Sequence, residues 1–204
     1  ENAFKEYGLP EASRTDNGAP FASVAPGGLS KLSVWFIKLG IKPERIEPGH
    51  PEQNGRHERP DNIGIKEATA NPPKGNLEEQ EKAFDEFASE YNGERPHEAW
   101  DMKTPASLYQ PSLRAYPAKV PEIAYHGDFM VRRVCHNGEI KWHGEFSYVS
   151  EALVGEPVAL KQKDEHLWEI RFSSYPLGVL NELTMKITPL LGKEGREVLP
   201  MCPV

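Results

Sequence analysis

The sequence predicts an α/β region followed, after residue 127, by a small all-β, barrel-like domain. Three observations carry that reading. Apolar residues recur at helical spacing in two stretches, 28–39 and 77–92. A proline-rich stretch over 110–127, with Pro111, Pro117 and Pro121, reads as an extended linker. Beyond it, apolar and polar residues alternate with a period of two through five or six short segments.

Each element has a local reason. Residues 1–7 read as a helix closed by Gly8, with Pro10 just beyond. "EASRTD" reads as a short strand ending at Asp16. Over 28–39, Leu29, Leu32, Phe36 and Leu39 form a helical stripe that Gly40 ends, and "RIEP" (45–48) reads as another short strand. Asn76 caps a helix over 77–92, with Glu79 three residues on in a capping-box arrangement. Its stripe of Leu77, Phe84, Phe87 and Tyr91 is expected in the core, as are Trp35 and Trp100, while His97 reads as a local packing residue. Thr104 and Pro105 open a last short helix. After the linker, Ile140 with Trp142, Phe146 with Tyr148, Val158 with Leu160, Trp168 with Ile170 and Phe172, and Leu177 with Val179 are the expected inward pairs. Asn137-Gly138 is the expected hairpin turn. The division expected is 1–109, a linker over 110–127, a β-domain over 128–189 and a polar tail over 190–204.

Composition narrows the function classes. The chain has 204 residues, 38% hydrophobic and 27% charged, enough for one large or two small cores. No apolar run is long enough to span a bilayer, and the first residues have no secretory-signal pattern. They also lack a Met, which suggests a start inside a longer reading frame. Cys135 and Cys202 match no metal spacing and read as two reduced thiols. The net charge is −7, with 15 basic against 20 acidic residues up to Tyr125 and 9 against 11 after it. Neither part is basic, so binding to nucleic acid would have to rest on local clusters and metal ions.

Two stretches carry possible chemistry. In "RTDNGAPF" (14–21), Asp16 follows a strand and precedes Asn-Gly, a position that suits an Asx turn. In "HPEQNGRHER" (50–59), Glu58 sits just past a loop, where a helix N-terminus favours a carboxylate. Read together, a strand-end Asp and a helix-start Glu can converge, and convergent carboxylates hold Mg²⁺ or Mn²⁺ through hard oxygens. Two such ions can activate a water or a 3′-hydroxyl for phosphodiester chemistry.

"EYGLP" with "RTDNGAPF", then "LGIKPERIEPGHPEQNGRHER", then "FASEYNGERPHEAWDMKTPASLY" occur in that order between residue 1 and the linker. Together they resemble the integrase core of bacterial insertion-sequence transposases, a DDE-type group similar to retroviral integrases. The resemblance implies a partial RNase H-like core and a metal-dependent enzyme of DNA transposition, which cleaves DNA 3′ ends and joins them to a target strand. It implies a two-metal site for Mg²⁺ or Mn²⁺, with Asp16 and Glu58 as catalytic metal ligands. It also implies DNA contacts at Arg56, His57, Arg59 and Lys66, the element ends and target DNA as partners, a homo-oligomer in the complete protein, and a cytoplasmic, nucleoid-associated location without a membrane. The spacing common in that family, 35 intervening residues, would run from Asp16 to Glu52, whereas 41 separate Asp16 from Glu58. The "NG-x-x-ER" context favours Glu58. The family's first acidic residue lies on an apolar strand well upstream of the second, so these residues by themselves are expected to be inactive. The segment "RPDNIGIKEATANPP" also departs from the family's basic helix. Pro60 costs about 3 kcal/mol inside a helix and Gly64 about 1 kcal/mol; local drift, a repaired frameshift and decay all fit. The alternative function is a non-catalytic remnant that binds DNA or a transposase subunit through the β-domain, using Arg132, Arg133, Lys141, Lys161, Lys163 and Arg171. Solvated strand faces of mixed charge explain those six residues equally well.

Overall fold

In the computed structural model, which describes residues 1–47, 50, 53 and 72–190, the chain divides into two units, 1–53 with 114–204 and 54–113. The first unit opens with α1 (Asn2–Tyr7). Gly8 ends it at φ 78°, its N–H bonded to Phe4 O at 3.1 Å. Strand β1 (Ala12–Thr15), helix α2 (Lys31–Lys38) and strand β2 (Lys42–Arg45) follow. β1 and β2 run parallel, with Ala12 opposite Lys42 and Thr15 opposite Arg45.

Two boundaries differ from the sequence reading. α2 begins at Lys31 rather than 28, because Pro26–Gly28 form a 3-10 turn with Gly27 at φ 72°. Ser30 then caps α2, its hydroxyl accepting from Ser33 N at 3.1 Å. The second strand lies earlier than 45–48, because its register follows β1 and not its own apolar content. Pro43 is tolerated there because an edge strand need not donate at every residue.

α2 is buried on two sides. Val34 and Ile37 enter one apolar cluster, and Phe36 and Leu39 enter another. The smaller cluster gathers Leu9, Phe36, Leu39 and Ile41, with Phe4, Leu32, Trp35, Tyr116 and Val120 packed against it. Phe4 stacks on Trp35 with ring centres 5.5 Å apart. Residues of the proline-rich stretch are pinned here by backbone groups. Arg114 Nη1 donates to Pro10 O at 2.8 Å and Nη2 to Leu39 O at 2.9 Å, while Leu9 N donates to Arg114 O at 2.7 Å.

The larger cluster joins Leu29, Val34 and Ile37 to the β-rich part of the chain. That part contains β3 (Met130–Arg133), β4 (Glu139–Trp142), β5 (Glu145–Tyr148), β6 (Pro157–Asp164), β7 (Leu167–Phe172), β8 (Tyr175–Asn181) and β9 (Lys186–Thr188). Five strands form an antiparallel sheet in the order β3-β6-β7-β8-β9, and β4 and β5 form a separate hairpin. Ile140 and Trp142 of the hairpin and Val158, Leu160, Ile170, Phe172, Leu177 and Leu180 of the sheet are all at most 1% exposed. Tyr175 Oη donates to Gly27 O at 3.0 Å, and a Cβ on Gly27 would lie 2.7 Å from Leu177 Cδ2. Lys38 Nζ meets Glu156 Oε1 at 2.6 Å.

Three further expectations are corrected. The hairpin turn is His143-Gly144, with φ of 46° and 97°, and not Asn137-Gly138; the latter closes a turn onto Cys135 O at 3.0 Å without forming a ladder. That two-residue turn sets Ser147 opposite Ile140, so Ser147 points inward and Phe146 and Tyr148 point out. The inward hydroxyl is satisfied by Met185 O at 2.8 Å. In β8, the register shift between Ile170 and Arg171 turns Leu177 and Leu180 inward and leaves Val179 partly exposed.

The second unit carries α3 (Leu77–Gly93) and α4 (Pro105–Leu108) among its described residues. Asn76 caps α3 as expected, accepting from Glu79 N at 2.9 Å, while Glu79 reaches back to Gly75 N. The stripe on α3 is not core: Leu77 is 74% exposed and Phe84 41%. Trp100, at 45%, is also exposed. His97 packs as expected, its ring 5.1 Å from both Tyr91 and Trp100.

Leu29 is fully buried where the 3-10 turn meets the β-rich core. Leu29→Ala is expected to destabilise the first unit by about 2–5 kcal/mol, the range for emptying a packed aliphatic site. Urea unfolding followed by tryptophan fluorescence measures it.

Candidate active site

Asp16 lies one residue past β1, at the carboxyl end of the parallel pair, the edge where open α/β sheets gather ligands. Two contacts hold that end together. Asn17 Nδ2 donates to Ile46 O at 2.8 Å, and Ile46 N donates to Thr15 O at 3.3 Å. Between the strands, Arg14 pairs with Glu44 at 3.0 Å. Behind them Arg45 is buried and donates to Phe21 O and Gly28 O, at 3.1 and 2.6 Å. The loop after β1 is therefore anchored to β2 and to the 3-10 turn.

The Asp16 side chain is exposed and forms the Asx turn that its sequence context suggests, Oδ1 accepting from Gly18 N at 3.1 Å. An accessible carboxylate oxygen is a hard donor of the kind Mg²⁺ and Mn²⁺ take. One carboxylate does not make a site, and among the described residues no group of three or more His, Cys, Asp or Glu could hold a metal ion. Glu58, the alternative Glu52, and the DNA-contact candidates Arg56, His57, Arg59 and Lys66 lie outside the described residues, as do Pro60 and Gly64.

The six basic residues of the β-rich part separate onto different surfaces. Directly opposed residues share a sheet face, so β3, β6 and β7 put Arg133, Lys161 and Arg171 on the outer face, with Glu169 opposite Lys161. Lys163 reaches the same side, lining a shallow depression with Leu167, Val179 and Thr188. Arg132 faces the other way, its guanidinium 5.1 Å from the Trp142 ring centre, and Lys141 sits on the hairpin. Phe129, which the sequence reading passed over, has Lys161 and Arg171 at 5.9 and 5.6 Å from its ring centre. Arg171 is also paired with Glu169. Tyr125 fixes the approach to this face. Its hydroxyl donates to Pro157 O at 3.0 Å and accepts from Ser173 N at 2.8 Å, and burial raises its pKa above the ordinary phenol value. The sequence offers Lys161 and Arg171 as candidates, but only the strand pairing brings Phe129 against them.

Residues 39–105, about a third of the chain, match the family model described as Integrase core domain. The match supports an integrase/transposase-like relationship for that segment. It begins at the end of α2, includes β2 and α3, and runs into α4. Among the described residues, no helix is long and apolar enough to cross a membrane.

Because Asp16 is exposed and an amide can make the same turn, Asp16→Asn is expected to leave stability unchanged within about 0.5 kcal/mol. Thermal unfolding of the two proteins checks this, and it separates any later loss of metal binding from loss of fold.

Proposed function

We propose that the chain belongs to the machinery of DNA transposition or integration and contributes two carboxylates, Asp16 and Glu58, to a divalent-metal site of the DDE type. The observation that carries this reading is the Integrase core domain match over 39–105, a segment that includes Glu58. The exposed carboxylate at the carboxyl end of β1 supports it from the other side. Mg²⁺ or Mn²⁺ bound there would supply Lewis-acid activation of a water or 3′-hydroxyl. The contribution of this chain's own residues is to position oxygen donors, Asp16 from an anchored strand end and Glu58 from the segment beyond β2. Arg56, His57, Arg59 and Lys66 would offer positive charge to the DNA backbone. A third carboxylate, upstream of Asp16 in the related enzymes, would complete the two-metal geometry. The bacterial insertion-sequence origin and the assembly as a homo-oligomer on the element's ends are part of the same proposal.

Mn²⁺ binding measured by calorimetry tests the site. Asp16→Ala and Glu58→Ala are each expected to weaken binding by about tenfold or more, a loss of about 1.4 kcal/mol. Glu52→Ala is expected to leave it unchanged. The opposite pattern for the two glutamates would move the glutamate ligand from Glu58 to Glu52.

The outer face of the five-stranded sheet supports a second contribution, contact with the DNA backbone. Arg133, Lys161, Lys163 and Arg171 share that face, with Lys161 and Arg171 against the Phe129 ring, in a chain whose net charge is −7. Lys161→Ala is expected to reduce the slope of log affinity against log salt by about 1, whatever the DNA sequence. Fluorescence anisotropy with labelled duplexes across a salt series measures that slope.

A further inference from the structure

Three turns of the β-domain converge on one carboxylate that neither the metal site nor the basic face uses. Glu182 lies between β8 and β9. Its Oε1 is 2.9 Å from Nδ1 of His166, in the turn between β6 and β7. Its Oε2 accepts from Trp168 Nε1 at 2.7 Å and lies 3.7 Å from Nδ1 of His143, in the hairpin turn. The aromatic groups behind these contacts are packed together. Trp142 stacks on His143 with ring centres 4.8 Å apart and meets Trp168 edge-on at 4.8 Å. Trp142 is fully buried.

We propose that Glu182 is a proton-dependent clasp that ties the His143-Gly144 turn of the β4–β5 hairpin to the five-stranded sheet, and so sets how the hairpin presents its outer side chains. Those side chains are Lys141, Phe146 and Tyr148. Phe146 and Tyr148 are 54% and 45% exposed, and Lys141 stands directly across from Phe146. The hairpin forms no ladder with the sheet, so side-chain contacts carry much of its attachment at this end.

The charges around the clasp define its working range. The hydrogen bond from His166, then that from Trp168, hold the Glu182 carboxyl below its ordinary value of 4.5, with smaller help from Trp142 and His143. The hydrogen bond to Glu182, outweighing desolvation, raises the His166 imidazole above 6.5, and Glu165 and Asp164 add to the rise. Arg132 places a further positive charge over the Trp142 ring. A raised imidazole contributes stability in full below the unfolded value and loses it as pH climbs through the folded one. A lowered carboxyl contributes above its unfolded value and loses that as pH falls through the folded one. The clasp therefore contributes in full between about 4.5 and 6.5, and it weakens as pH falls through the lowered carboxyl value or climbs through the raised imidazole value.

NMR titration of the full chain tests this, following the imidazoles together with the amides of 139–148. In the unaltered chain, hairpin amides are expected to titrate with the His166 midpoint. In Glu182→Gln that midpoint is expected to fall back toward 6.5 and the hairpin transition to disappear. A hairpin whose signals ignore the His166 midpoint, or an unchanged midpoint in Glu182→Gln, overturns the proposal. Should Glu182→Gln fail to fold, His166→Gln removes only a half-exposed imidazole. Loss of the hairpin transition in that variant supports the clasp, and its persistence at the same midpoint overturns it.

Discussion

The two-sided burial of α2 is the constraint on which the first unit depends. An eight-residue helix has too few turns to persist alone in water, so its stability comes from packing. Val34 and Ile37 belong to the β-rich cluster, while Phe36 and Leu39 belong to the cluster with Leu9 and Ile41. One short helix thus links the α1–β1–β2 region to the antiparallel sheet. The Lys38–Glu156 pair and the Tyr175–Gly27 hydrogen bond reinforce the same junction with polar contacts. Apolar area does most of this, since partly exposed ion pairs contribute at most about 1 kcal/mol.

The candidate catalytic carboxylate inherits its position from that packing. β1 and β2 are each four residues long and pair only with one another among the described residues. A two-stranded parallel pair has little stability of its own. Here Ile41 and Ile46 are buried at either end of β2, Arg45 holds the carbonyls of Phe21 and Gly28, and Asn17 bonds across to Ile46 O. Asp16 can therefore be exposed and still held at a defined place, which is what a metal ligand or a phosphate-facing carboxylate requires.

Charge is organised locally in a chain that is acidic overall. Arg133, Lys161 and Arg171 share one sheet face because the register aligns residues of equal parity, and Phe129 lies between two of them. Arg132 is excluded from that face by the alternation of the strand, and it covers the Trp142 ring instead. One acidic turn residue is likewise occupied: Glu182 receives an indole N–H and faces two imidazoles. A net charge of −7 therefore does not describe what each surface offers to a partner.

The sequence by itself determined the local elements wherever the cause was local. Gly8 and Gly40 stop helices, Asn76 caps α3, Pro105 opens α4, and the period-two alternation after residue 127 marks strands. It also marked Asp16 as a strand-end carboxylate in an Asx turn, because that turn needs only Asp16, Asn17 and Gly18. Tertiary structure decided everything that depends on which strand lies beside which. The His143-Gly144 turn set the register that buries Ser147 and exposes Phe146 and Tyr148, against their hydrophobicity. A register shift turned Leu180 inward in β8, and pairing with β1 fixed where β2 runs. The clasp at Glu182 and the place of Phe129 between two basic residues were invisible for the same reason. Their members are distant in sequence and meet only through strand pairing, and hydrogen-bond geometry between strands is not written in the periodicity of any one of them.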